Sequence, residues 1–407
     1  MGKKILVLGT GAQGSTVAQR MDEEAGVSEI VCADRDDKAV DALVRILTKG
    51  RGARVDASDV AGIKEIARGS DLIVNALPLQ FGANALEAAL AAGANYQDFA
   101  APEAISDNWI SGIKLLLAEY GPRFEARGKL AVVGTGSAPG LICAATRVAV
   151  RELDSCDTIY NIVWEGVEAK RFQPYWWSPV TALNDMSDDA FAFENGKITR
   201  TPPFSLPIYR QYGYMDKPVC FVEHAHDEPV YMGLNAEKYF KGAKNIYFKY
   251  GGAGIQFAEP LYRAGMLSRE PEDFKGMTIV PFDFVLAHVP PAPKYKEEIR
   301  AIIDEGLVSD SGCMVVEAYG KRKGQNVRVE THVFAPGFIE SFNRAGLTAE
   351  MYLTGQGGAL FTEMFVNDKY EQTGLITSDM LTESEIDYYF ARAAELDITL
   401  KTSVLAV

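Results

Sequence analysis

A short aliphatic run, Ile5-Leu-Val-Leu8, breaks directly into Gly9-Thr-Gly-Ala-Gln-Gly14. A G-x-G-x-x-G that leaves a strand and opens a helix leaves the chain few choices. The first glycine permits a tight turn, and the second lets backbone N–H groups approach a pyrophosphate. The third lets the helix pack closely on the strand. Ala12 and Gln13 begin that helix, and its unpaired N–H groups carry partial positive charge toward an anion. We read Gly9, Gly11, Ala12, Gln13 and Gly14 as a dinucleotide cradle.

The next residues repeat the same alternation. Strands are expected at Lys4–Leu8, Glu29–Ala33, Arg54–Asp56, Leu72–Ala76, Asn95–Asp98 and Leu130–Val133, with helical patterns between them. Strands alternating with helices require right-handed crossovers, so this part is predicted to be an α/β, Rossmann-type, doubly wound parallel sheet. From about Arg151 the pattern changes to strand-like segments such as Asp157–Trp164, Val219–Val222, Asn245–Lys249, Met277–Val280, Ser311–Gly320 and Val327–Ala335. These predict a second α+β domain with a largely antiparallel sheet. Helical patterning returns in Ala349–Asn367, where Gly355, Gly357 and Gly358 allow close approach to another element. The expected division is a dinucleotide-binding domain from 1–143 and 346–407, and a substrate-binding and dimerisation domain from 144–345.

Composition excludes several other classes. The 407 residues carry 41 Lys+Arg against 55 Asp+Glu, a formal charge of −14, which opposes non-specific binding to nucleic acid or to an anionic membrane. The longest apolar stretch, Leu130–Val150, contains three glycines, a proline and Arg147, so no membrane span is expected. Five scattered cysteines without a C-x-x-C pair read as reduced thiols of a cytoplasmic protein. The expected partner is a small-molecule amine or amino acid, with the protein a homodimer.

Further ligand contacts are expected where the parallel strands end. Asp34 follows the second strand, where a carboxylate accepts hydrogen bonds from ribose hydroxyls and repels a 2′-phosphate, favouring NAD. Arg35 beside it is the feature that would admit NADP. Asp56 suits either an adenine contact or a cap on the following helix. Asn75 and Ala76 are expected to line the nicotinamide ribose, with Pro78 starting the next helix.

Taken in order, Gly9–Gly14, Asp34, Asp56, Asp71-Leu-Ile-Val-Asn-Ala-Leu-Pro78, Tyr96-Gln-Asp98 and Gly134-Thr-Gly-Ser-Ala-Pro-Gly-Leu141 resemble the saccharopine dehydrogenase-like family. That family includes saccharopine reductases, lysine 6-dehydrogenases and carboxynorspermidine or homospermidine synthases. The resemblance implies a nicotinamide cofactor and hydride transfer at a carbon bonded to an amino-acid nitrogen. It implies a site role for Asp98, as ammonium ligand or general acid/base, with Tyr96 near the substrate. In the His226-x-Glu228-Pro turn, His226 would exchange the amine proton and Glu228 would bind an ammonium.

Three other residues are candidate substrate contacts. Gly136 opens a helix N-terminus suited to a substrate carboxylate. Glu165 follows a strand, and Arg171 could pair a carboxylate bidentately. His224 and His226 with Glu228 lack a third distant ligand, so no metal is expected. Two alternatives stay open: a polyamine-type synthase, or a non-catalytic NAD(P)-binding sensor.

Overall fold

A computed structural model describes residues 2–106 and 108–407. The chain divides into two compact units, Met1–Ala144 with Leu353–Thr399, and Ala145–Tyr352 with Leu400–Val407.

In the first unit six strands appear in chain order: β1 (Lys3–Leu8), β2 (Val27–Asp34), β3 (Gly50–Arg54), β4 (Leu72–Asn75), β5 (Asn95–Asp98) and β6 (Leu130–Val133). With the strand Gly374–Thr377 they form one seven-stranded sheet, ordered 374–377, β6, β5, β4, β1, β2, β3, and every pairing is parallel. Ile5, Leu6, Val7 and Leu8 have no exposed surface, because helices cover both faces of such a sheet and leave no solvent side for alternation. The expected third strand lies earlier than the sequence suggested, at Gly50-Arg-Gly-Ala-Arg54. As the sheet edge it needs little apolar surface, so hydrophobicity gave no signal there.

Helix α1 (Ala12–Glu23) follows β1, and α2 (Leu141–Arg151) follows the glycine loop after β6.

The second unit contains β7 (Ser155–Glu165), β8 (Ala190–Glu194), β9 (Lys197–Thr201), β10 (Ile208–Arg210), β11 (Val219–Glu223), β12 (Asn245–Gly252), β13 (Gly312–Arg322), β14 (Gln325–Phe334) and β15 (Thr399–Ala406). The order is β9-β8-β12-β7-β13-β14-β15, with β11 pairing β10 and β12. β7 and β12 run parallel, whereas β8/β9, β10/β11, β11/β12, β8/β12, β7/β13 and β13/β14 are antiparallel. The segment near Met277 pairs instead with Glu272–Phe274 in a separate two-stranded piece. The C-terminal strand β15 joins this sheet rather than the parallel one, so the last residues of the chain serve the second unit.

Helices α3 (Pro179–Ser187) and α4 (Glu228–Leu234) belong to this unit, and α5 (Ala349–Val366) carries the chain back to the first. The glycines of α5 act as the sequence suggested. A Cβ on Gly358 would overlap the Phe99 ring, and the Gly358 carbonyl accepts a hydrogen bond from Gln97 Nε2 at 2.8 Å. Among the described residues no helix is long and apolar enough to cross a membrane.

Candidate active site

The loop between β1 and α1 has the geometry that an anion cradle requires. Gly9 has φ +89°, and a Cβ there would lie 2.6 Å from the Ala76 carbonyl oxygen. A Cβ on Gly14 would fall onto the Gly9 carbonyl. Both glycines are therefore explained by the chain itself. Gly11 is not: its φ is −70°, and no protein atom lies within 4 Å of where a Cβ would stand. The open volume in front of Gly11 leaves room for a ligand's phosphates. Helix α1 has no side-chain N-cap and no acidic residue in its first turn, leaving its N-terminal N–H groups for an anion. These residues fit a dinucleotide.

Asp34, at the end of β2, braces this loop. Its Oδ2 accepts from Thr10 N at 2.8 Å and from Thr10 Oγ1 at 3.1 Å, and its Oδ1 accepts from Asp36 N at 3.1 Å. A carboxylate offers about four acceptor sites, so one remains on Oδ1 for a ribose hydroxyl. Asp56 is exposed and closes a local turn, accepting from Ser58 N at 2.8 Å and Ser58 Oγ at 2.6 Å. Those Ser58 hydrogen bonds hold its carboxyl below the usual range, and the charge of Arg35 adds to them. The cap on the following helix is Asp59, which accepts from Gly62 N.

The ends of β4, β5 and β6 are joined by a buried polar network. Asn75 Nδ2 donates to Tyr96 Oη at 3.1 Å, Tyr96 Oη donates to Asp98 Oδ2 at 3.0 Å, and Gly134 N donates to Asp98 Oδ1 at 2.8 Å. Asn75 Oδ1 also accepts from Leu77 N, while Pro78 precedes a single 3-10 turn, Leu79–Phe81. Tyr96 and Asp98 are 0% and 1% exposed.

In the second unit, the turn after β11 brings a second group of side chains together. His226 Nδ1 lies 2.5 Å from Glu228 Oε2, with side-chain exposures of 17% and 0%. The His226 ring stacks on Phe248 at 4.0 Å and 9°. His224 stacks on Tyr250 at 4.7 Å, and the Tyr250 hydroxyl donates to Glu165 at the end of β7. Strand alternation explains the grouping, since Phe248 and Tyr250 are two apart on β12 and share a face.

Burial alone would depress the His226 pKa, but the adjacent Glu228 charge and hydrogen bond, with Asp227 and Asp185, lift it to about 9. Burial drives Glu165 upward to about 7, against the Tyr250 hydrogen bond. His224 is held well below its ordinary value by burial and by its neighbour His226. Among the described residues no group of three or more His, Cys, Asp and Glu is placed to hold a metal ion.

A family model described as the saccharopine dehydrogenase NADP binding domain matches residues 5–122. The match lies within the first unit and takes in the glycine loop, Asp34, Asn75 and Asp98. Two solved structures share this fold along the chain. One is an apo saccharopine dehydrogenase (L-Glu forming) from Saccharomyces cerevisiae, 14% identical, with TM-score 0.69 and all of both chains covered. The other is a homospermidine synthase from Legionella pneumophila in complex with NAD, 10% identical, with TM-score 0.67, covering 99% of this chain and 92% of that one. At these identities the likeness is one of fold.

Several expected contacts have other occupations. The Gly136 carbonyl accepts from Leu141 N and the Ser137 carbonyl from Ile142 N, both at 3.0 Å. The first amides of α2 are thus satisfied by their own loop, rather than presented to a substrate carboxylate. Arg171 is bound by Glu305 at the surface through its Nε, 2.6 Å from Oε2, and through its Nη2. Tyr96 points into the network with Asp98. Sequence reasoning weighed His224 only as a metal ligand and missed Tyr250 and Thr10. Proximity in the chain to His226 was a usable signal for His224, whereas Tyr250 meets Glu165 across 85 residues.

Proposed function

We propose that this protein is an NAD-dependent oxidoreductase acting on the C–N bond of an amino acid or an amine derived from one. The observation that carries this reading is the shielded His226–Glu228 pair, in a chain whose other unit offers a dinucleotide cradle. The bound nicotinamide would exchange hydride with the C–N carbon, the amine passing through an imine.

The protein's own residues would bind, orient and move protons. His226, protonated at neutral pH because Glu228 outweighs burial, would donate to the substrate nitrogen during reduction and recover the proton during oxidation. Glu228 would hold the imidazole by one carboxylate oxygen and meet the nitrogen with the other. Asp98, with both oxygens engaged, would act by fixing the Gly134 loop as a positioning residue. Asp34 would select NAD by accepting a ribose hydroxyl and repelling a 2′-phosphate.

A polyamine-type reaction is the second reading, favoured by the carboxylates Asp185, Asp227 and Glu228 that dominate the electrostatics at His226. Initial rates of reduced nicotinamide formation, with NAD and NADP against L-lysine, saccharopine and diamines, separate the two. The expected result is turnover with NAD, a raised KM for NAD in Asp34→Ala, and a fall in kcat of about 100-fold or more in His226→Ala. Unchanged kcat in His226→Ala refutes the assignment.

A further inference from the structure

The end of β2 is tied to the glycine loop by consecutive contacts. Gly9 N donates to the Ala33 carbonyl at 2.8 Å. Thr10 then gives Asp34 Oδ2 both its amide, at 2.8 Å, and its hydroxyl, at 3.1 Å. Thr10 is 8% exposed, so little solvent competes for these bonds. The other oxygen, Oδ1, is held from a different side by Asp36 N at 3.1 Å. Asp36 is itself fixed as the N-cap of the helix Asp37–Val44, where its carboxylate accepts from Lys38 N and Ala39 N.

A carboxylate offers about four acceptor sites, two on each oxygen. Thr10 takes both sites on Oδ2 and Asp36 takes one on Oδ1, so a single site on Oδ1 is left. The terminal torsion of an aspartate is broad. A carboxylate free to turn about it can meet two neighbouring hydroxyls, or swing away from an anion. Held by donors from two elements, the Asp34 carboxylate can do neither. The cations at this end of the sheet do little for an added phosphate. Arg54 lies opposite Asp34 in the β2–β3 register but is paired with Asp37 at 3.0 Å, and Arg35 lends its charge to Asp56.

We propose that Thr10 is the positioning residue that sets cofactor selectivity in this protein. By locking Asp34 it leaves one oxygen site to accept the 2′-hydroxyl of the adenosine ribose, and it leaves the 3′-hydroxyl unread. The same lock keeps a negative charge where a 2′-phosphate would have to sit. Both donors of Thr10 point at Asp34, so Thr10 acts through that carboxylate rather than on the cofactor. The inference rests on the assignment of Asp34 to NAD selection and adds what makes that selection strict.

Fluorescence titration of the full chain with reduced dinucleotides tests this without turnover. The probes are NADH, NADPH, and two NADH analogues that lack the 2′- or the 3′-hydroxyl of the adenosine ribose. The unaltered chain is expected to bind the 2′-deoxy analogue roughly tenfold more weakly than NADH, because a hydrogen bond to a charged acceptor is lost. The 3′-deoxy analogue should bind within about threefold of NADH, and NADPH at least about tenfold more weakly. Thr10→Val keeps the shape of the side chain, removes its hydroxyl and so frees a second acceptor site on Asp34. In that variant the 3′-deoxy analogue should become roughly fivefold weaker than NADH, and the preference for NADH over NADPH should fall by roughly tenfold. Thr10→Ser returns the hydroxyl and should restore the native pattern.

A loss of loop packing alone would weaken all four ligands alike, so unchanged ratios in Thr10→Val overturn the proposal. Equal weakening by the two deoxy analogues in the unaltered chain overturns it as well, and that comparison needs no variant. NADPH bound as tightly as NADH overturns it together with the NAD reading. A strong preference for NADH with both hydroxyls read overturns the lock alone. A chain that binds none of the four overturns both.

Discussion

Glu228→Gln isolates the interaction on which the proposed proton chemistry depends. In the protein as it stands, His226 is lifted to about 9 although burial pulls it down. Relative to an ordinary histidine near 6.5, that is about 2.5 pH units, or about 3 kcal/mol in favour of the protonated ring. Replacing the carboxylate with an amide removes the largest opposing influence and leaves burial facing only Asp227 and Asp185, so the pKa should fall to 6.5 or below. At pH 7.5 the ratio of protonated to neutral ring would drop from about 30 to about 0.1, roughly 300-fold.

The chain has four histidines, so an NMR titration of ring resonances between pH 5 and 10 resolves His226 individually. Stability supplies an independent check. Because the folded pKa is raised, the contribution of His226 is full below about 6.5 and is lost as pH rises through about 9. The native protein should therefore lose about 3 kcal/mol across that interval from this residue, and the variant should not. A His226 that titrates near 6.5 in both proteins would refute the reasoning.

Two further tests address the cradle and the second carboxylate. Gly11→Val should leave the thermal midpoint unchanged, since nothing in the chain occupies the space it fills, yet abolish NADH binding measured by fluorescence. Gly14→Ala should instead cost about 1–3 kcal/mol of stability, because its Cβ meets the Gly9 carbonyl. Glu165, raised to about 7, contributes stability that is full below about 4.5 and lost as pH rises through 7. Urea unfolding should accordingly show Glu165→Gln gaining about 3 kcal/mol relative to the native chain at pH 8 but little at pH 4.5.

The parallel sheet was legible because β1, β4 and β6 are buried and read as largely apolar runs between glycines and helices, whereas the edge strand β3 carries no such signal. The cradle was legible because each of its glycines answers a separate steric demand within six residues. The cluster in the second unit was only half legible. His226 and Glu228 are two residues apart and could be paired on the page, but Glu165 and Tyr250 come from different strands joined only by sheet register. Gly251 and Gly252 on β12 lie opposite Trp164 and Glu165 on β7, an alignment that no local spacing encodes. The exit of β15 into the second sheet was hidden for the same reason, since strand partners are chosen by long-range pairing rather than by local pattern.

Asp98 and Glu228 show what separates a buried carboxylate that builds a fold from one that awaits a ligand. Both were nominated by position, one at a strand end facing the ligand side of a parallel sheet, the other in a turn rich in histidine. Asp98 Oδ2 accepts from a tyrosine and Oδ1 from a backbone amide, and the Thr135 amide and hydroxyl bond its main-chain carbonyl. The Gly134 and Thr135 bonds tie β5 to the loop after β6, and Tyr96, on β5 itself, passes the network on to Asn75 of β4. Glu228 spends one oxygen on His226 and keeps the other buried without a partner. A folded chain gains nothing from leaving such an atom unpaired, and a ligand that supplies the missing donor gains a charge-assisted hydrogen bond in a site already shielded from water. Hydrogen-bond accounting therefore commits both carboxylate oxygens of Asp98 to the architecture and, on the function proposed above, leaves one oxygen of Glu228 for the chemistry.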